Sequence, residues 1–167
     1  MDIWDFVVEK FKNKVDKNGE PYFGHLKRVG DSSYYTCPQS EEEITKLKEV
    51  AKITDNLSIH LFLYDIGLLH DIFEDTDTTE EELLNVENVT TQHIEIIKIL
   101  TRNKEKETYF QYIDRVSQNK VATLVKLADL KDNMDITRYD VLDDNAISLI
   151  KRYHKAFKIL TKNYKKL

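Results

Sequence analysis

A continuous apolar stretch of the chain runs from Ile59 to Phe73 and reads IHLFLYDIGLLHDIF. Its apolar residues fall on nearly every face of a helix, which predicts a helix buried inside the molecule. The end of this stretch nonetheless carries His70 and Asp71, and Glu74 with Asp75 follows directly. Unpaired charges are costly to bury, so these groups need a cation, a network of partners or open water. We therefore predict a metal site here, with a solvated acidic loop as the simpler alternative.

The spacing of these four groups decides how their side chains would meet. On one continuous helix, residues 70 and 74, and residues 71 and 75, stack one turn above each other. A histidine nitrogen beside a carboxylate oxygen forms a mixed ligand set, which suits manganese, iron, zinc or magnesium and disfavours soft metals. The pattern is typical of a divalent-metal site, provided that further ligands come from elsewhere in the chain.

A second largely buried helix is predicted over Val121–Met134, VATLVKLADLKDNM, by two neighbouring apolar stripes. Asp129 interrupts its apolar part, and a carboxylate in that position needs a cation or several hydrogen-bond donors. A metal at His70 and Asp71 could be that cation. Asn133 lies one helical turn after Asp129 and would face the same way.

The other helices are predicted from apolar periodicity and from cap residues such as Asp2, Ser40 and Thr79. They cover about 2–15, 21–29, 40–53, 79–84, 90–101 and 143–165. His25 lies in the second of them, after Gly24. The segment TRNKEKETYFQYIDRV is predicted to be a solvated loop followed by a helix that buries its aromatic residues. Residues 30–39 lack a period and contain Ser, Tyr and Pro, so we predict a loop there.

Composition narrows the fold class. The 167 residues suffice for one domain with a substantial core, and they include only 4 Gly and 2 Pro. We therefore predict one all-α domain over residues 1–167, a compact bundle of roughly seven to nine helices. The net charge of −5 gives no support to nucleic-acid binding.

The compartment follows from what the sequence contains. Cys37 is the single cysteine, which excludes an internal disulfide and fits a reducing compartment. No stretch has the pattern of a signal peptide or of a membrane-spanning helix. We predict a cytoplasmic protein with no membrane and no nucleic-acid partner. The sequence does not determine the oligomeric state.

Four motifs in order resemble those of the HD-domain metal-dependent phosphohydrolases: GEPYFGHLKRV, LLHDIFEDTDTT, ETYFQYIDRV and VKLADLKDNM. The sequences of these motifs are most similar to those in the hydrolase domain of the RelA/SpoT-type alarmone enzymes and in their small stand-alone relatives. Those enzymes remove pyrophosphate from the 3′ position of (p)ppGpp. The resemblance runs from about Asp16 to Arg138, with extra residues between Gly30 and Ser58. It implies a single HD-type helical domain with a loop insertion at about 30–40 and no synthetase domain.

The resemblance also implies roles for particular residues. His25, His70, Asp71 and Asp129 would be the ligands of one divalent ion, which is Mn²⁺ in this family. The remaining implied site residues act on water or on the nucleotide: Glu74 and Asp75 as the catalytic carboxylates, Lys17 and Asn133 as substrate contacts. The implied activity is that of a guanosine 3′,5′-bis(diphosphate) 3′-pyrophosphohydrolase with a small nucleotide as its substrate.

The chain departs from the family pattern at three positions. Asp16 stands where the family has an arginine that stacks on guanine, Phe11 where it has a histidine, and Leu130 where it has an arginine. Two alternatives therefore remain open. One is an HD phosphohydrolase for another nucleotide, such as a nucleoside monophosphate, a dinucleotide or NADPH. The other is a non-catalytic HD domain that binds a nucleotide or a protein.

Overall fold

The regular elements in the part of the chain that the structure describes are all helices. The computed structural model describes residues 1–16, 19–53 and 58–166. Its α-helices are Ile3–Phe11 (α1), Tyr22–Tyr35 (α2), Glu41–Val50 (α3), Ile59–Leu69 (α4), Ile72–Asp75 (α5), Glu80–Leu84 (α6), Thr91–Leu100 (α7), Tyr109–Val116 (α8), Lys120–Asn133 (α9) and Asp144–Tyr164 (α10). A 3₁₀ turn covers Ile136–Arg138. The predicted all-helical bundle is confirmed.

Side-chain caps define several helix starts as the sequence predicts. The Asp2 carboxylate accepts a hydrogen bond from the Asp5 backbone N–H at 2.8 Å at the start of α1. Ser40 and Thr79 cap α3 and α6 in the same way, each bonding the N–H three residues on. These bonds satisfy backbone donors that have no partner inside the helix.

Helices α4 and α9 form the centre of the bundle. Phe62, Leu63 and Ile66 of α4 are fully buried, as are Val121 and Val125 of α9. Helix α2 packs on both, and α10 lies along α9 and α8. Two elements with charged residues in apolar surroundings thus lie side by side in the core. Within residues 1–16, 19–53 and 58–166, no helix is long and apolar enough to cross a membrane.

Helices α2 and α4 make their closest approach at two glycines. A Cβ atom built on Gly67 would lie 2.6 Å from the Gly30 Cα, so only hydrogen fits at this contact. The predicted loop from Gly30 is therefore wrong in its first part, because α2 continues to Tyr35. Packing against α4 holds these residues helical despite their weak periodicity. The non-helical part of this segment is a short connection over residues 36–39, ahead of the Ser40 cap.

The buried helix ends earlier than its apolar pattern predicts. Helix α4 stops at Leu69, and Asp71 adopts φ −101° and ψ 4° before α5 begins at Ile72. The prediction of one continuous helix to Phe73 is wrong, so the one-turn stacking of residues 70 and 74 does not apply. The break lets two consecutive side chains turn toward one point, since His70 Nε2 lies 3.0 Å from Asp71 Oδ2.

Candidate metal centre and substrate cavity

Four predicted ligands from three parts of the chain converge at one point. His25 Nε2 on α2 lies 3.3 Å from Asp129 Oδ1 on α9 and 3.8 Å from Asp71 Oδ2. His70 Nε2 lies 3.7 Å from the same Asp129 oxygen. Atoms that bind one ion at about 2.1 Å lie roughly 3.4 Å apart around a tetrahedron. The ligand atoms of His25, His70 and Asp71 lie within 4.8 Å of one another, which fits a single divalent ion, and Asp129 lies beside both imidazoles.

Each histidine is oriented by a partner on its other ring nitrogen. His25 Nδ1 lies 2.7 Å from Asp132 Oδ2, and His70 Nδ1 lies 2.7 Å from the Gly67 carbonyl oxygen. Such partners fix the tautomer that leaves Nε2 free to bind a metal. His70 Nε2 is buried and has no well-formed hydrogen bond to any residue that the structure describes. An unsatisfied buried nitrogen is costly, and a bound cation would satisfy it.

The carboxylates make this point strongly attractive to positive charge. Burial lowers the pKa of His70, but Asp71 and Asp129 outweigh this effect and raise that pKa to about 10. Burial likewise opposes ionisation of Asp71, yet the adjacent His70 holds the pKa of the Asp71 carboxyl below its usual value. Tyr22 donates a hydrogen bond to Asp71 Oδ2 at 2.6 Å. The cluster is thus built to keep its carboxylates charged.

Asp129 has two further partners on α9. Lys126 Nζ lies 2.7 Å from Asp129 Oδ2, and the Asn133 side-chain amide donates to Asp129 Oδ1 at 2.5 Å. Asn133 therefore faces the same way as Asp129, as the sequence predicts. Lys126 was not among the residues predicted for the site. The sequence could have indicated it, because a lysine three residues before a carboxylate in an apolar helix has the spacing of an ion pair.

The two predicted catalytic carboxylates line the same cavity without joining the ligand cluster. Glu74 accepts a hydrogen bond from the Arg102 backbone N–H at 3.3 Å and lies 3.1 Å from Lys104 Nζ. Asp75 Oδ2 lies 2.9 Å from Lys14 Nζ. Both side chains keep part of their surface in the cavity, where a substrate could reach them. Lys17, the predicted substrate contact, lies outside the described residues.

The cavity over the cluster has a volume of about 310 Å³. Besides the predicted residues it is lined by Asp132 and by basic and aromatic side chains that were not predicted for the site: Tyr22, Arg102, Lys104, Tyr109, Tyr112, Lys126, Arg138, Tyr139, Arg152 and Tyr153. For Arg102, Lys104 and Tyr109 the sequence signal was the mixture of basic and aromatic residues in TRNKEKETYF. A solvated loop before a helix also explains that mixture, so the sequence alone favoured the loop.

The three departures from the family pattern have structural partners. Asp16 lines the cavity and binds Arg138, which also lies 2.5 Å from Asp132 Oδ2. Phe11 is buried and stacks on the Tyr22 ring at 5.3 Å between centroids. Leu130 is buried in the core. Only the Asp16 departure thus changes the chemistry of the cavity wall.

The Asp132 carboxylate joins this wall to the metal cluster. It binds Arg28 Nε at 2.6 Å as well as Arg138 and His25. Burial raises the pKa of Asp132, but His25 and Arg28 overcome that effect and lower it to about 2. The carboxylate therefore stays charged at neutral pH and holds His25 in place.

Together these features define a helical domain with a candidate His/Asp metal centre. Among solved structures, the chain matches a metazoan orthologue of SpoT that hydrolyses ppGpp and plays a role in starvation responses. The TM-score is 0.64 at 20% identity, and the match covers 98% of this chain and 90% of that chain. The two proteins share a fold.

A curated relative is also an enzyme that acts on this nucleotide. The guanosine-3′,5′-bis(diphosphate) 3′-pyrophosphohydrolase of Aquifex aeolicus (strain VF5) is 29% identical over 140 residues, and the match covers 78% of this chain. The match covers 16% of that enzyme, so the chain spans about one sixth of the relative's length. No protein-family model matches the chain. The resemblance that the four motifs indicate is confirmed in sequence similarity and in fold.

Proposed function

We propose that this protein is a divalent-metal-dependent phosphohydrolase acting on a nucleotide, with guanosine 3′,5′-bis(diphosphate) as substrate and its 3′-pyrophosphate as the leaving group. The observation that carries the proposal is the convergence of His25, His70, Asp71 and Asp129, in which the buried His70 Nε2 lies 3.0 Å from Asp71 Oδ2 but makes no well-formed hydrogen bond among the described residues. The named activities of the two relatives support the choice of substrate.

The four converging residues would hold one ion, and we propose Mn²⁺. The ligand atoms of His25, His70 and Asp71 lie within 4.8 Å of one another, and Asp129 Oδ1 lies between the two imidazoles. When bound, the ion would acidify a water and offset charge that develops on the phosphoryl oxygens. Tyr22 would hold Asp71 in its ligand orientation through the 2.6 Å hydrogen bond.

Residues beside the metal centre would accept the proton and contact the substrate. Glu74 is fixed by the Arg102 N–H and by Lys104, and would accept the proton of the attacking water. Asp75, held by Lys14, would orient that water. Lys17 and Asn133 are proposed to contact the nucleotide. We also propose that residues 1–167 work as one domain, in the cytoplasm, on the alarmone of the stringent response.

A second candidate is hydrolysis of a different nucleotide at the same centre. It is favoured by Asp16, which occupies the family's guanine-stacking position and instead binds Arg138. The Arg138 guanidinium then reaches this wall of the cavity from the 3₁₀ turn. Recognition of the base would differ from that in the alarmone enzymes.

A nucleotide panel tests the proposal directly. With added Mn²⁺, the protein is expected to convert ppGpp to GDP and pyrophosphate, with NADPH, dinucleotides and nucleoside monophosphates as comparison substrates. Products are followed by anion-exchange chromatography. Turnover of another panel member with ppGpp at background would replace the first candidate by the second. If no nucleotide reacts, the fold serves binding alone.

Metal content gives an independent prediction. Protein purified without chelator is expected to carry about one equivalent of divalent metal per chain, since the four ligands form one site. Elemental analysis by mass spectrometry measures it, and dialysis against a chelator should remove both metal and activity. A preparation that stays empty after incubation with Mn²⁺ would contradict a metal centre.

Replacing Asp132 tests the orientation of His25. Asp132→Asn removes the charge that His25 and Arg28 share, so we expect metal affinity to fall roughly 10- to 100-fold. A competitive titration against a metal-sensitive dye measures the change. Asp31→Asn is the matched control, because Asp31 pairs with Lys27 on the same helix α2 away from the cavity. Equal affinity in both variants would show that Asp132 does not position a ligand.

A further inference from the structure

Part of the cavity wall is basic and aromatic and takes no role in holding the proposed metal ligands. Tyr109 at the start of α8 lies between two arginines. The guanidinium carbon of Arg102 lies 5.8 Å from the centroid of the Tyr109 ring, and that of Arg152 on α10 lies 4.9 Å from it. Lys104 lines the same wall. Two guanidinium groups therefore flank one phenol at the cavity surface.

Two hydrogen-bond donors of this wall are buried without an acceptor. Arg102 Nε and the Tyr109 hydroxyl have no partner within the described part of the chain. Burial raises the pKa of Tyr109 to about 12, so the phenol keeps its proton and can only gain by donating it. Buried donors in native proteins nearly always have acceptors. Two such donors on one cavity wall point to a ligand that brings acceptor oxygens.

The charges on this wall favour an anion. Lys104 is paired with Glu74, and the Arg102 Nη2 donates to the Glu107 backbone carbonyl at 3.2 Å. Arg152 stacks on Tyr109 and Tyr153 and has no carboxylate partner in the residues that are described. Arg102 lies near the Glu107 carboxylate and helps to lower its pKa, so the uncompensated positive charge beside the two free donors belongs to Arg152. Phosphate oxygens match arginine donors in both charge and geometry.

We infer that Arg102, Tyr109 and Arg152 form a second anion subsite, which holds a phosphate group of the substrate other than the one attacked at the metal centre. The inference rests on the proposed function and extends it to the substrate class. A nucleotide with a diphosphate at the reacting position, or with phosphates on two positions of the ribose, fills both sites. A nucleoside monophosphate fills only one.

Binding measurements test this subsite without turnover. Mn²⁺-loaded protein is titrated calorimetrically with inorganic pyrophosphate, with GDP and with inorganic phosphate. Relative to wild type, Arg102→Met and Arg152→Met are expected to weaken binding of pyrophosphate, GDP or both by roughly 10- to 100-fold. Tyr109→Phe, which removes only the hydroxyl, is expected to weaken it roughly 3- to 10-fold. Inorganic phosphate should bind all variants equally, because the metal centre alone accounts for it.

Lys106→Met and Lys151→Met are the matched controls. Each removes an exposed positive charge from the same loop or the same helix but lies outside the cavity, so affinity should stay at the wild-type value. Loss of pyrophosphate binding alone assigns the subsite to the leaving diphosphate, and loss of GDP binding alone assigns it to the 5′-diphosphate. Wild-type affinity for both anions in all three variants, or no binding by the wild type, overturns the subsite.

Hydrolysis of ppGpp, measured separately, distinguishes the two proposals. If the wild type fails to hydrolyse ppGpp while the three substitutions still weaken anion binding, the proposed function fails and the subsite stands. If hydrolysis occurs and the substitutions leave binding unchanged, the subsite fails and the proposed function stands. Thermal unfolding of each variant verifies that the fold is intact.

Discussion

Asp71→Asn is expected to lower kcat/KM for ppGpp by roughly 1000-fold or more, on the order of 4 kcal/mol of transition-state stabilisation. The substitution keeps the shape of the side chain and an oxygen that can accept the Tyr22 hydrogen bond. It removes the negative charge that lies 3.0 Å from His70 Nε2 and 3.8 Å from His25 Nε2. Steady-state kinetics and elemental analysis of the same preparation measure activity and metal together.

Asp65→Asn is a closely matched control for this variant. The Asp65 side chain is 20% exposed and that of Asp71 is 18% exposed. Asp65 lies within α4, and Asp71 lies just after its end. Asp65 faces His93 on the other side of α4 and does not line the cavity. Near wild-type turnover by Asp65→Asn is therefore expected. Full turnover by Asp71→Asn would remove the His/Asp cluster from the mechanism.

Gly67→Ala is expected to lower the free energy of unfolding by about 3 kcal/mol, the upper part of the range for overpacked cores. The added methyl would lie 2.6 Å from the Gly30 Cα, and backbone cannot move aside as a flexible side chain can. Helices α2 and α4 must then separate. Since the Gly67 carbonyl also orients His70, metal affinity should fall with stability. Denaturant unfolding and a metal titration measure the two effects.

Gly24→Ala supplies the comparison within α2. A Cβ at Gly24 would meet only Arg28 Nη1 at 3.2 Å, the end of a flexible side chain. Alanine favours a helix over glycine by up to about 1 kcal/mol, so this variant should be as stable as wild type or slightly more stable. Equal stability of the Gly67 and Gly24 variants would mean that the helix crossing can relax.

The candidate site was predictable from the sequence because several of its ionisable residues lie inside otherwise apolar stretches. His70, Asp71 and Asp129 interrupt apolar stretches, and a charge in such a stretch needs a physical reason. His25 offered no such contrast in its short helix and entered the prediction through the resemblance. The fold class followed from periodicity and cap residues, which act locally.

The errors of prediction all concern contacts between distant parts of the chain. The apolar pattern resumes at Ile72 and Phe73 after His70 and Asp71, so it does not mark the end of α4 at Leu69. Residues 30–35 have little helical periodicity, and the contact of Gly30 with Gly67 keeps them in α2. Arg102 and Tyr109 belong to a segment that resembles a solvated loop until α10 covers it. Local patterns could not report any of these contacts.

The glycine contact between α2 and α4 also constrains how this chain can diverge. Gly67 allows α2 to pack closely against α4, and its carbonyl oxygen also orients His70. A substitution that enlarged Gly67 would displace the carbonyl that orients His70, a proposed ligand, and would also disrupt the packing of α2 against α4. Gly30 and Gly67 should therefore tolerate replacement least in a saturation screen, although neither lies in the cavity wall.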